Sequence, residues 1–280
     1  MNRNLVIITS FTFIGAFFGL FGCENDRNSD VICKNNPELC ADLHRDSWCR
    51  FEKADLILHR LQLKNTESPS GKQLFQHLIY LENYSQCVEL AAGVQHVLNT
   101  QRTSDRQRAY AVSTQNLSEL QEFTKNNNDV YLAYYRWIRF NDQASLQIVI
   151  DQYKAGMIYD IDILAQLGAH YIRISPNEAK HIYRYLFDTV DTEQFNPDWL
   201  LAIASLYQQE QNFEYVYIFT KAYSLIGDEK LDSSQLLSLI GTNMSLATSL
   251  DSQASALIDD IRGNRFSNSE SAVLLEDKKN

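Results

Sequence analysis

Glycine and proline are scarce in this chain: ten glycines and four prolines in 280 residues. An all-β design with a tight turn every ten residues or so would lack its punctuation, so helices are favoured. Catalytic signatures are missing too. There is no H-E-x-x-H, no glycine-rich phosphate loop, no G-x-S-x-G elbow and no C-x-x-C pair. Positive charge is short, with 25 Lys and Arg against 35 Asp and Glu, a formal net charge of −10. A field of that sign opposes nonspecific adhesion to nucleic acid or to anionic lipid. The composition implies neither a nucleic-acid partner nor a small-molecule cofactor. What is present is ordinary globular material, 45% hydrophobic, enough for one large domain or two small ones.

Long apolar runs are confined to the first residues, MNRNLVIITSFTFIGAFFGLFGC. Arg3 and the amino terminus precede an apolar run from Leu5 to Phe21, then small Gly22 and Cys23, the order of an export signal. At 17 residues the run is at the lower edge for spanning a bilayer, so an uncleaved signal anchor is the competing reading. Leu20-Phe21-Gly22-Cys23 resembles the lipobox of bacterial lipoproteins, although Phe21 replaces the usual small residue. The resemblance implies a signal peptide over 1–22, an acylated Cys23 such as a palmitate carrier, and anchoring in the cell envelope. With Glu24 rather than Asp after the cysteine, it implies the periplasmic side of the outer membrane. Residues 23–36 then read as a flexible tether.

With Cys23 set aside, Cys33, Cys40, Cys49 and Cys87 are an even set in an oxidising compartment. Three pairings are open. Cys33 with Cys40 would close a small loop around NNPEL, leaving Cys49 with Cys87. Zinc is the alternative, since C-x6-C-x8-C with His44 offers plausible ligand types, but none of the spacings is the tight one of metal knuckles. The other histidines, His59, His77, His96, His170 and His181, stand without a partner ligand at i+3 or i+4.

From Pro37 the chain reads as helical. Asn36-Pro37 is a start signal, a second helix is expected over 50–63, and 71–98 is expected to split near Glu82-Asn83 into two antiparallel helices. Residues 37–99 thus read as a disulfide-stapled helical module. Beyond it, aligning Tyr135, Tyr171 and Tyr207 gives a spacing of 36 residues twice, and Leu132, Gly168 and Ala204 coincide three residues earlier. Ala144, Ala179 and Val216 stand near the start of each following helix, and Ser175-Pro176-Asn177-Glu178 reads as a capping box. Helix pairs that cannot bury their apolar faces alone must stack. The expectation over 100–264 is therefore an all-α array of helical hairpins, capped by helices near 233–244 and 250–262, with 265–280 as a disordered tail.

This order resembles tetratricopeptide repeats, with a Sel1-like flavour in FTKAYSLIG. The resemblance implies a groove lined by the first helix of each pair, and carries Arg136, Trp137, Ile172, Arg173, Gln208 and Gln209 onto it. Arg and Trp there would clamp a peptide carboxylate or stack on a ring. The alternative is that Trp137 is buried between helices and the arginines are internally paired. The chain as a whole, through the lipobox cysteine, CKNNPELCADL, Cys49-Arg50 and YSQCVELA, resembles an uncharacterised family of lipoproteins from marine gammaproteobacteria, a domain of unknown function.

The functional expectation is a lipid-anchored periplasmic scaffold, not an enzyme, that holds an unidentified envelope protein or peptide. An envelope enzyme acting on peptidoglycan is the second reading. Its carboxylates would come from separated helices; Asp160-Ile161-Asp162 and Asp259-Asp260 suggest paired carboxylates or a calcium site, but helix starts and solvated faces explain both.

Overall fold

The computed structural model describes residues 28–227 and 233–276. Among these every regular element is an α-helix or a 3-10 turn. The signal segment, Cys23 and the last four residues lie outside the described residues. No helix of the described residues is long and apolar enough to cross a membrane. The chain divides into two compact units, the first closing at Glu122 and the second starting at Phe123.

The first unit opens with α1 (Ser29–Asn35), within the stretch expected to be tether. Asn28 caps it by accepting from Asp30 N, and its Ile32 is buried in the core. Asn36-Pro37 starts only a single 3-10 turn, Pro37–Leu39; the Asn36 amide instead donates back to Ile32 O. Helix α2 (Arg50–Lys64) follows, then α3 (Gly71–Ala92), begun by a full Ser70/Gln73 capping box. The expected break at Glu82-Asn83 does not occur. Leu78, Leu81, Tyr84, Ser85, Val88 and Ala91 keep one helical face buried through that point, and Asn83 points to solvent. Helix α4 (Thr100–Thr124), placed with the repeats on sequence, starts in this unit: Arg106 Nε reaches Asp46 (2.8 Å) and Arg108 Nη2 reaches Leu43 O (3.0 Å).

Of the three possible pairings, Cys33–Cys40 with Cys49–Cys87 is the one made, with Cα separations of 5.7 and 5.8 Å. All four thiols are thereby consumed, which overturns the zinc reading. His44 is committed elsewhere. The Tyr84 hydroxyl accepts from His44 N–H (3.1 Å) and donates to Nδ1 (2.9 Å), leaving Nε2–H to donate to Trp48 O (2.7 Å).

The second unit contains three helical hairpins, α5–α6 (Val130–Phe140, Gln143–Lys154), α7–α8 (Ile161–Tyr171, Pro176–Thr189) and α9–α10 (Asp198–Gln209, Phe213–Ile226). Two of the connections share a device. A left-handed residue, Asn141 (φ 52°) or Gln211 (φ 55°), ends one helix, and the next residue, Asp142 or Asn212, caps the helix that follows. In the middle connection Pro176 does start α8, but Ser175 makes no capping bond, and Glu178 instead accepts from the Tyr153 hydroxyl (3.3 Å).

The three aligned tyrosines are buried. The regular 36-residue period is not kept, however. Measured back from Gln143, Pro176 and Phe213, they stand 8, 5 and 6 residues before the second helix of their hairpin. At Gly168 the two helices of the hairpin approach closely: a Cβ there would lie 3.0 Å from the Tyr183 ring and 3.2 Å from Ile182.

After α11 (Ser233–Ser238) and α12 (Met244–Arg262), the segment expected to fray packs down as two 3-10 stretches, Phe266–Asn268 and Glu270–Leu275. Phe266, Leu274 and Leu275 are buried, Phe266 edge-on to Phe187 at 5.3 Å. Tyr207 donates to Leu274 O, and Ser271 donates to Asp260 (2.8 Å). Asp260 thus anchors this segment, and Asp160 stands at the N-cap of α7.

Candidate functional site

Three of the six residues assigned to a partner groove, Arg136, Trp137 and Ile172, are buried within the second unit. Arg136 is buried, with Nε on Ser145 Oγ (2.8 Å), Nη1 on Thr124 O (2.9 Å) and Nη2 on Asn127 O (2.8 Å). It satisfies carbonyls left open where α4 ends, a structural task that engages all three guanidinium nitrogens. Trp137, 7% exposed, packs against Tyr134 and edge-on to His170 at 5.6 Å. Ile172 is buried as well. Arg173, Gln208 and Gln209 are exposed. The alignment failed because it fixed the tyrosines rather than the helix starts, and a shift of two or three residues turns a helix by most of a turn.

A cleft of about 840 Å³ opens elsewhere, along the second helices of the first two hairpins. Tyr153 and Lys154 come from the end of α6. Tyr159 comes from the α6–α7 connection, where Gly156 takes φ +68°, a conformation that favours glycine. One face of α8 supplies Glu178, His181, Ile182, Arg184, Tyr185 and Asp188. Their spacing, at i, i+3, i+4, i+6, i+7 and i+10 from Glu178, is a helical stripe readable in the sequence. None of the six predicted groove residues lines it.

The far end is closed by Ser267. Its N–H donates to Asp188 Oδ1 (2.7 Å), its hydroxyl donates to Asp188 Oδ2, and Arg184 Nε donates to its hydroxyl oxygen (3.1 Å). Burial pushes the Tyr153 hydroxyl up, and the Glu178 charge adds to the shift, so Tyr153 is a phenol donor at any physiological pH. Tyr159 and Tyr185 present exposed rings. The walls therefore offer aromatic faces, an imidazole and a lysine, while both carboxylates already hold partners. Ten residues separate Glu178 from Asp188 on one helix, about 15 Å along the axis. That is wider than the pair of carboxylates that flanks a scissile glycosidic bond, about 5–9.5 Å apart.

No group of metal-ligating side chains in the described residues is independent of a disulfide: the one cluster is Cys49, Glu52 and Cys87, whose sulfurs are bonded to each other. His59 and His77 stack at 5.5 Å in the first unit, where His59 Nε2 bonds Gln73 O (2.9 Å).

The molecule so described is an all-helical protein with a disulfide-stapled first unit and a hairpin-built second one. Residues 20–221 match a family described as proteins of unknown function, DUF2989, and the chain belongs to that family. No curated protein and no solved structure matches it.

Proposed function

We propose that this protein is a non-catalytic scaffold, anchored in the cell envelope through Cys23, that holds an extended segment of a partner protein in the cleft between α6 and α8. The observation that carries the reading is the lining of that cleft. Tyr153, Tyr159 and Tyr185 supply amphipathic rings of the kind that dominate binding hot spots. Lys154 adds a charged donor for a backbone carbonyl or an acidic side chain. The three hairpins and the close packing at Gly168 support a loosely tetratricopeptide-like array, with an irregular period, as the frame. The lipobox supports export and acylation, and Glu24 supports the outer membrane as the destination.

The test is photo-crosslinking in cells from positions Tyr159 and Tyr185, paired with pull-down of Tyr159→Ala/Tyr185→Ala protein from solubilised envelopes. A partner crosslinked at these positions and lost from the double variant is the expected result. If nothing is enriched, or the variant enriches the same set, the reading fails. Arg136 and Trp137 are unsuitable for this purpose, because changing them would test folding rather than binding. A lysis band in a zymogram on purified cell wall would favour the peptidoglycan enzyme instead.

A further inference from the structure

The first unit carries its exposed apolar side chains at one end. Trp48 and Phe51 flank Cys49; Leu90 lies one turn beyond Cys87, the partner of Cys49; and Val97 and Leu98, 90% and 101% exposed, stand on the connection between α3 and α4. That connection is tied down, since His96 N–H donates to Thr103 Oγ1 (2.9 Å), and His96 lines the same recess as Trp48 and Arg102. The patch is thus held in place on folded elements.

The chain arrives at this same end. Helix α1 runs parallel to α2: Asp30 near its start acts on the Lys53 ammonium in the first turn of α2, and Asn36 after its end accepts from Lys64 Nζ (2.7 Å) at the end of α2. Only five Cα-to-Cα steps lead from Cys23 to Asn28. Fully extended they reach no more than ~18 Å. A membrane anchor at or before Cys23 therefore keeps the end bearing Trp48, Phe51, Leu90, Val97 and Leu98 close to the bilayer surface. Arg106 and Arg102 are drawn to Asp46 (2.8 and 3.6 Å), Arg106 also covers the Trp48 ring at 4.9 Å, and Arg50 lies over the Phe51 ring at 4.5 Å. Indole and phenyl rings with an arginine above them are side chains suited to the interface between headgroups and acyl chains.

We infer that this end of the first unit is a membrane-contacting surface, which dips Trp48, Phe51, Val97 and Leu98 into the lipid interface and seats the unit on the bilayer that anchors it. The inference rests on the reading of the N-terminal segment as a membrane anchor, acylated or uncleaved.

The test uses the mature protein with its anchor intact, reconstituted into vesicles of phosphatidylethanolamine and phosphatidylglycerol with or without brominated acyl chains. Of the three tryptophans, Trp137 and Trp199 are buried, so Trp48 dominates contact quenching. Brominated chains are expected to quench wild-type emission, with the quenching lost in Trp48→Phe, reduced in Val97→Asp/Leu98→Asp, and retained at high salt. Unchanged circular-dichroism melting of the Asp variant confirms that it folds.

Two results would overturn the surface. One is emission indifferent to brominated lipid but quenched by aqueous iodide. The other is protection from both quenchers with crosslinks between copies or to another protein. Intact mass tests the acylation separately: residues 1–22 retained without acyl chains would end the lipoprotein reading, while the quenching still decides the surface.

Discussion

His77, on α3, shows what a single position contributes. Its Nδ1 is buried with no hydrogen-bond partner, and burial, helped by the Arg60 charge and by His59, pushes the imidazole down to about 4, with Asp42 opposing weakly. The neutral form is the folded one. Above the unfolded value of about 6.5 both states are neutral and the protein has its full stability. As pH falls below that, the unfolded chain takes up a proton that the folded chain refuses, and stability drops until the folded group also protonates near pH 4. The loss over that window is on the order of 3 kcal/mol. Burial shifts His44 and His59 in the same direction, so they add to the slope. Urea midpoints at pH 7 and pH 5 are expected to differ clearly in the wild type and less in His77→Leu. Equal midpoints in the wild type would contradict the buried neutral imidazole.

At the scale of elements, local signals set helix ends while packing sets helix length. Helix α2 runs one residue beyond the expected 50–63, because its signals, an apolar spacing and a C-cap at Asn65, are local. Helix α3 was cut in two because Glu82-Asn83 looks like a break, yet no glycine or proline interrupts it and its buried face is continuous. The position of Gly168 in the hairpin was legible for a related reason: a small residue amid Ile163, Leu164, Leu167 and Tyr171 implies a neighbour close by. That neighbour is the Tyr183 ring. Gly168→Leu is expected to force α7 and α8 apart and cost at least about 2 kcal/mol, within the range for overpacked cores. Gly168→Ala should be milder, because improved helix propensity offsets part of the crowding. Thermal melts of the two variants would check the order, and a Leu variant as stable as wild type would show that the hairpin is looser than its geometry.

At the scale of the molecule, both disulfides lie in the first unit, and they differ in the loop they close: 7 residues for Cys33–Cys40 and 38 for Cys49–Cys87. Chain entropy then assigns about 2 kcal/mol to the first and about 4 kcal/mol to the second. Replacing Cys49 and Cys87 together by Ala is expected to lower the urea midpoint more than replacing Cys33 and Cys40. Hydrogen exchange should show the loss of protection in α2 and α3 rather than in α5 to α10. The opposite ranking of the two pairs would mean that the longer loop is already restrained in the unfolded chain.

What the sequence determined by itself was what neighbours along the chain can encode: helical character throughout the described residues and hairpins after residue 129, while the choice among three cysteine pairings needed the fold. Caps, apolar periodicity and loop closure act over a few residues, and those signals are written in order. Only the tertiary structure decided that Arg136 and Trp137 face inward, that one side of α8 meets Tyr153 and Ser267 to make a cleft, and that Trp48, Phe51, Leu90 and Leu98 share an end with the start of α1. Each of these depends on the rotation of one helix against another. A shift of two residues in a connection reverses which side chains are buried, and no local signal reports it.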